Sequence, residues 1–385
     1  MTVIALHWMT ESRVTVFRKY PNTESIVIIS RTQFYPSTRS CTQKSSETIR
    51  KVFDDCPPQF AITKIKTPVN RQKEGKKMKT INNIKIIGID HGYGNIKTAN
   101  FCFKTGIAAY DSEPLFTKDM IVYDGRYYLI GEGHKAYAAE KMQDEEYYVL
   151  TLAAIAMELH KENITDATVH IAAGLPLTWV SKQKEKFKAY LLKNEEVSFI
   201  FRKTDYHIKI VGADVFPQGF SAIAETAAAF KGVNLLCDIG NGTMNLLYIR
   251  NGRPDSLGMY TEKFGTEQCV NAIKNAVMDK FQVVIDSGII EEFICTGKAN
   301  ISKEYLKVLK ATATDYVDEI FHRLKDHEYN PDLMQLYVVG GGGCLIRNFG
   351  SYDKSRVTIS EDISATAKGY EYLSERYLKK DGEKL

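Results

Sequence analysis

From Met78 onward, short apolar runs of strand length alternate with longer stretches whose apolar residues recur at helical spacing. Ile84–Ile89 and Thr98–Phe103 are predicted to be paired strands around a glycine turn. A short hairpin is expected around Asp124–Gly125 in the segment DGRYYLIG. Tyr147–Glu162 carries an apolar stripe of Leu150, Ala153, Ala154, Met157 and Leu159 and predicts a helix, followed by a buried strand at Thr168–Ala173. Ser181–Leu192 reads as a charged amphipathic helix. Val197–Phe201 and His207–Val211 read as adjacent strands joined by a turn at Lys203–Tyr206. A helix is expected over Gly219–Phe230, a second hairpin over Leu235–Ile249, and helices over Gly265–Met278 and Tyr305–Leu324. Gln335–Val339 is a short strand that runs into four glycines, and Ile363–Tyr377 closes the chain as a helix.

The alternation of strands and helices, with 44% hydrophobic residues in 385, predicts an α/β protein large enough for two domains with separate cores. No apolar run reaches the roughly 18 residues of a membrane span, and no apolar block precedes a small-residue cleavage site near the first residues. Seven cysteines are scattered singly with no C-x-x-C, which argues against a disulfide framework or thiolate zinc and for a reducing cytoplasm. His322 and His327 are expected to be solvated surface residues.

The net charge of +4 is unevenly spread. Residues 1–77 hold fourteen Lys or Arg against six Asp or Glu, so the basic character belongs to this leader and the remainder is acidic. Ser25–Ile29 reads as a strand, and the rest of the leader shows no order. Its basic stretch Arg71–Lys79 fits a nucleic-acid tail, an extended arm or a segment foreign to the functional chain. The last is preferred, with the functional chain starting at Met78. The domain reading that follows is 1–77 as an extension, 78–215 as one domain with the first hairpin, 216–360 as a second with the other hairpin, and 361–385 as a helix returning to the first.

Chemistry concentrates at the turns. IKIIGIDHGYGNIK (residues 84–97) ends an apolar strand in Asp90, then places Gly92, Tyr93, Gly94 and Asn95 in a tight turn ahead of Lys97. A strand-end carboxylate, exposed backbone N–H groups and a lysine suit a magnesium–nucleotide phosphate site. LLCDIGNGTMNLLYI (235–249) repeats the pattern 148 positions later, with Asp238, Gly240, Asn241, Gly242 and Thr243. Gly340, Gly341, Gly342 and Gly343 lie between LYVV and CLI, where a flat ligand such as a nucleotide base could approach the backbone closely.

The three glycine sites, in this order, resemble the phosphate-1, phosphate-2 and adenosine motifs of the actin, Hsp70 and sugar-kinase superfamily. GLPLTWVSKQKEKFKAYL, the D-x-G-x-G-T hairpin and the closing ATAKGYEYL are similar to plasmid-segregation actin-like ATPases of the ParM/StbA type, across about residues 84–375. The resemblance implies an actin-like ATPase fold, with two similar ribonuclease-H-like domains around a nucleotide cleft. It implies Asp90 and Asp238 beside Mg2+, Lys97 on the phosphates, and Gly240–Thr243 around their other side. Gln218, in FPQGFSAI, takes the water-positioning place, where many bacterial relatives carry glutamate. Glu291 or Glu292 is expected near the ribose.

The implied activity is slow hydrolysis of ATP or GTP coupled to head-to-tail filaments. In such a family the filament moves plasmid or mobile-element DNA through a DNA-binding adaptor, with no direct nucleic-acid contact and no membrane. Two other readings stand beside it. One is a small-molecule kinase of the same fold, with Asp214 as the base; the other is a nucleotide-binding scaffold that does not polymerise.

Overall fold

The computed structural model describes residues 13–19, 26–32, 77–115, 118–133 and 145–382. Residues 1–70 and 71–385 are separate compact units. In the first, β1 (Arg13–Lys19) and β2 (Ile26–Thr32) pair antiparallel, with Phe17 opposite Ile28. The rest of the leader up to residue 76, including Arg71–Lys76 of its basic stretch, lies outside the described residues.

The second unit holds two sheets. The first begins with β3 (Lys79–Ile81), β4 (Ile84–His91), β5 (Asn95–Lys97) and β6 (Cys102–Lys104). It continues through β7 (Ile107–Tyr110), β8 (Met120–Tyr123) and β9 (Arg126–Ile130). Helix α1 (Glu145–Lys161), β10 (Asp166–Leu175), α2 (Val180–Leu191), β11 (Glu196–Phe201) and β12 (Thr204–Pro217) complete this part of the chain. A short α3 (Phe220–Ile223) leads to β13 (Val233–Ile239), β14 (Met244–Arg250) and β15 (Arg253–Glu262). Three helices follow: α4 (Thr266–Phe281), α5 (Ser287–Thr296) and α6 (Lys303–Asp326). The chain ends with β16 (Gln335–Val339), α7 (Gly343–Phe349), β17 (Val357–Ile359) and α8 (Ala365–Gly382).

The two sheets share one plan. The second runs β15-β14-β13-β16-β17, and the first contains β6-β5-β4-β10-β12 before extending to β11, β8, β9 and β7. In each, two antiparallel neighbours flank one side of a central strand and two parallel strands flank the other. Parallel strands need crossovers that cover the sheet, so the central strands are buried on both faces and read as unbroken apolar runs. Ile86, Ile87, Ile89, Leu235, Leu236 and Cys237 are all essentially inaccessible. The first core gathers α1 and β4, β10 and β12; the second gathers α4–α7 around β13 and β16.

Several local expectations needed correction. The strand returning from the first turn is Asn95–Lys97, and residues 98–101 form the next turn. There the Thr98 amide donates to the Phe101 carbonyl (2.8 Å) and the Phe101 amide donates to Thr98 Oγ1 (3.0 Å). Glu158, wholly buried in α1, accepts from the Asn100 amide (2.9 Å) and from its side chain (2.7 Å). The turn after β11 is Arg202–Lys203, both at positive φ, and β12 then runs fourteen residues to Pro217.

The expected helix at Gly219–Phe230 breaks after Ile223 and resumes as a 3₁₀ turn at Ala227–Ala229. Ser221 and Thr226 turn their hydroxyls onto the carbonyls of Pro217 and Ile223, a local competitor of regular helix. His322 is exposed as expected, but His327 is partnered: its Nε2 lies 2.5 Å from Glu262 Oε1, and its ring lies against Tyr260. No helix among the described residues is long and apolar enough to cross a membrane.

Candidate functional site

Each central strand carries an aspartate as its penultimate residue, and the shared strand plan brings the two ends together. In the first hairpin Asp90 sits directly opposite Lys97, whose Nζ is 3.4 Å from Asp90 Oδ2. Gly92, Tyr93, Gly94 and Asn95 form the half-buried turn between them. The Gly92 carbonyl accepts from Thr105 Oγ1 (2.8 Å) and the Gly94 carbonyl accepts from the Thr105 amide (3.1 Å), which pins the loop to the end of β6.

In the second hairpin Asp238 precedes Gly240, Asn241, Gly242 and Thr243. This loop is stapled to the start of α4. The Thr266 and Glu267 amides donate to the carbonyls of Gly240 and Asn241 (3.0 and 2.9 Å), and Thr266 Oγ1 donates to Asn241 Oδ1 (3.2 Å). First-turn N–H groups of α4 are thereby satisfied by the loop itself.

The two loops touch. A Cβ on Gly94 would stand 2.9 Å from Asn241 Cγ, so only glycine lets the loops approach this closely. Between the two carboxylates runs the turn after β12. Gln218 Nε2 donates to Asp90 Oδ1 (3.1 Å), while Gly219, at φ +76°, would bring a Cβ within 3.2 Å of Asp238 Cβ. Asp90, Lys97, Gln218 and Asp238 are thus one cluster drawn from both halves of the fold.

Its electrostatics are unbalanced. Asp90 and Asp238 are 6% and 9% exposed, and Lys97 is the cation set against both. Burial, reinforced by the charge of Asp90 and only partly offset by Lys97, pushes the Asp238 carboxyl up to about 6. Burial also works against the Lys97 ammonium, but Asp90 and Asp238 outweigh it and hold its pKa above the ordinary value. Two carboxylates and one ammonium in a low-dielectric site leave an excess negative charge. Hard oxygen donors of that charge fit a hydrated divalent cation such as Mg2+, which binds through one or two carboxylates and keeps its waters. No group of three or more His, Cys, Asp or Glu suited to enclose a metal occurs among the described residues.

The four glycines after β16 divide by cause. Gly340 has φ +85° and would bring a Cβ to 2.5 Å from Asp238 Oδ1, and a Cβ on Gly342 would fall on the Ile239 side chain. At Gly343 it would stand 3.0 Å from Ile359 Cγ2. Internal packing therefore accounts for three of the four. A Cβ on Gly341 would meet nothing within 4 Å, so this is the glycine that opens outward. Glu291 is exposed on α5, with Oε2 3.5 Å from Lys104 Nζ on β6, an ion pair joining the two halves.

Tyr370 adds a further group near the cluster. This residue of α8 is wholly buried, and burial followed by the charges of Asp90 and Asp238 raises its pKa well above that of free tyrosine, keeping it neutral beside Gln218. The segment ATAKGYEYL that contains it was distinctive in the sequence, but nothing local marks the tyrosine as buried within reach of the two carboxylate charges. Asp214 is engaged elsewhere: its Oδ2 is 3.0 Å from His170 Nε2 and accepts from Ser374 Oγ (2.6 Å). These partners, with burial opposing them, hold its pKa below the usual carboxylate range.

Two sheets that share a five-strand plan, with paired aspartate hairpins meeting between them, define the actin-like ATPase fold. Residues 88–220 match the family described as "Actin like proteins N terminal domain". Among solved structures, the archaeal actin homologue Ta0583 is similar over 76% of this chain and 99% of its own, at 19% identity and a TM-score of 0.62. The apo ParM protein of psk41 covers 77% of this chain and 99% of its own, at 16% identity and a TM-score of 0.60. The Alp12 filament structure covers 77% and 100%, at 17% identity and a TM-score of 0.56. Ta0583 has also been solved in complex with ADP. No curated protein matches the chain significantly.

Proposed function

We propose that this protein is a Mg2+-dependent ATPase whose nucleotide state governs its assembly into head-to-tail filaments. The observation that carries the reading is the meeting of Asp90, Lys97, Gln218 and Asp238 across the two halves, with Gly94 against Asn241. The residues from Gly92 to Asn95 and from Gly240 to Thr243 would cradle the phosphates from opposite sides. Gly340–Gly343, through the open Gly341, would face the adenosine. Asp90 and Asp238 would hold the Mg2+, which when bound neutralises charge on the transferred phosphoryl group.

Lys97 contributes a fixed positive charge to the same oxygens. Gln218 has an amide, a poor proton acceptor, so its part is to orient the attacking water rather than to take its proton. Its Nε2 is anchored on Asp90, which leaves the carbonyl oxygen to accept from a water. Positioning without a strong base gives slow turnover, which suits a filament timer. GTP is the alternative nucleotide.

A nucleotide gripped by both halves would fix the angle between them, and subunits of one fixed shape can stack by a heterologous contact that does not close. The Alp12 structure is of a filament and Ta0583 has been seen with ADP, which supports both parts of the reading. The cargo in this proposal is plasmid or mobile-element DNA, reached through a DNA-binding adaptor, in the cytoplasm. Glu291 would bear on the ribose only after releasing Lys104.

A kinase is the weaker reading, because Asp214 is committed to His170 and Ser374 rather than offered to an acceptor hydroxyl. Negative-stain microscopy and phosphate release, with and without ATP and Mg2+, test the proposal. Filaments and hydrolysis that both need the two additions are expected; nucleotide binding with neither would leave a scaffold.

A further inference from the structure

Cys295 lies at the end of α5 and is exposed, and Cys344 lies in the first turn of α7, directly after the four glycines. Cys344 and Asn348 share one face of α7, and Asn348 meets the carbonyls of Ile294 and Cys295, so that face sets Cys344 beside the end of α5, where each thiol shifts the titration of the other. The α5–α7 junction is held around them: Arg347 Nη2 and Asn348 Nδ2 both donate to the Cys295 carbonyl (3.2 and 3.0 Å). Cys344 Sγ also donates to the Gly341 carbonyl (3.0 Å), so its one proton can serve either Gly341 or the Cys295 sulfur. The hydrogen bond from Cys344 draws the Cys295 thiol down to about 7 against the cost of burial; Glu291 opposes this and Arg347 assists it. The same bond, with burial, pushes the Cys344 thiol far up. One thiol is therefore an exposed, partly ionised nucleophile at neutral pH, and its neighbour is a protonated resolving thiol.

We propose that Cys295 and Cys344 form a reversible disulfide that regulates the loop Gly340–Gly343. This deepens the nucleotide reading and rests on it for its consequence, though not for its chemistry. The oxidant is a small disulfide such as oxidised glutathione. The Cys295 thiolate attacks one of its sulfurs and expels a thiolate. Cys344, on losing its proton to solvent, attacks the Cys295 sulfur and expels the second. Two protein thiols become one disulfide, and the small disulfide becomes two thiols. The bond costs the Gly341 carbonyl its S–H donor and ties the loop to α5. Loss of one ordering hydrogen bond at the proposed adenosine loop weakens nucleotide binding about fivefold to tenfold.

The test uses the full-length protein treated with oxidised glutathione. Peptide mass mapping under non-reducing conditions should join the Cys295 and Cys344 peptides with loss of two hydrogens. Neither Cys295→Ser nor Cys344→Ser should form that link. Binding of a fluorescent ATP analogue should weaken on oxidation, recover with dithiothreitol, and stay constant in Cys344→Ser. Glutathione retained on Cys295 without the link, or a link that leaves affinity unchanged, overturns the proposal. Failure of the reduced protein to bind the analogue at all sinks the nucleotide reading instead, while the peptide map still decides the thiol chemistry.

Discussion

Asp238→Asn should make the ligand-free protein more stable at neutral pH while destroying its response to Mg2+ and ATP. The wild-type carboxyl titrates at about 6 in the folded chain against a reference of 3.8, because burial and Asp90 both disfavour its charge. Between these two values the folded state holds a proton that the unfolded state has released. Stability therefore falls as pH rises through that window and stays low above it. About two units at roughly 1.4 kcal/mol each amount to about 3 kcal/mol of strain carried at pH 7. The amide has the same shape and no charge, so the variant carries none of it, and Lys97 keeps Asp90 as its partner.

Thermal melts of both proteins without nucleotide or metal, from about pH 4 to pH 7.5, read the effect directly. The two should coincide at the acid end and separate with rising pH, the variant finally melting a few degrees higher. Mg2+ and ATP should then raise the wild-type melting temperature and leave the variant unmoved, since a ligand stabilises only the state it binds. A variant no more stable than wild type at neutral pH, or a gap that is the same at both ends of the range, would refute the electrostatic reasoning.

Other outcomes follow from single contacts. Gln218→Ala should keep nucleotide and filaments but slow phosphate release by roughly ten- to a hundredfold; an equal loss of nucleotide binding would contradict an orienting role. Gly342→Ala should destabilise by about 1–3 kcal/mol in denaturant melts, since its methyl meets Ile239, whereas Gly341→Ala should melt like wild type. If Gly341 faces adenosine, its alanine variant should still bind the nucleotide analogue more weakly. Asp214→Asn should leave ATP hydrolysis unchanged while lowering stability through His170 and Ser374, and a lost phosphoryl transfer to a sugar would revive the kinase reading.

The central strands were legible because burial on both faces writes an apolar run that reaches a carboxylate, although each strand runs past its expected bounds, to His91 in one and from Val233 in the other. Gln335–Val339 matches its predicted bounds, and the Asp124–Gly125 hairpin forms with both residues at positive φ, as the two-residue turn demands. The expected helix at Gly219–Phe230 fails for a different reason. Its alanines favour helix, but the carbonyl of Ser221 packs against Gly369 of α8, and the backbone at Ala227 and Ala228 packs against Gly252. Helix propensity is a local quantity of a few tenths of a kcal/mol per residue, and such packing overrides it. The four-glycine turn shows the same limit: the sequence pointed to a close approach, yet Ile239, Asp238 and Ile359 account for three of its members.

By itself the sequence determined which residues could carry phosphate chemistry. Two aspartate-led glycine turns and a lysine are fixed by local strand and turn geometry, which a short stretch of chain encodes. Only the tertiary structure decided that Asp90 and Asp238 share one low-dielectric environment, that Gln218 reaches the first and Gly219 the second, and that Tyr370 is buried where both charges act on it. It also brought Cys295 to Cys344 and Lys104 to Glu291. Those meetings depend on how two sheets with a common five-strand plan are apposed, and the energy that apposes them comes from contacts between residues far apart in the chain, which no local pattern records.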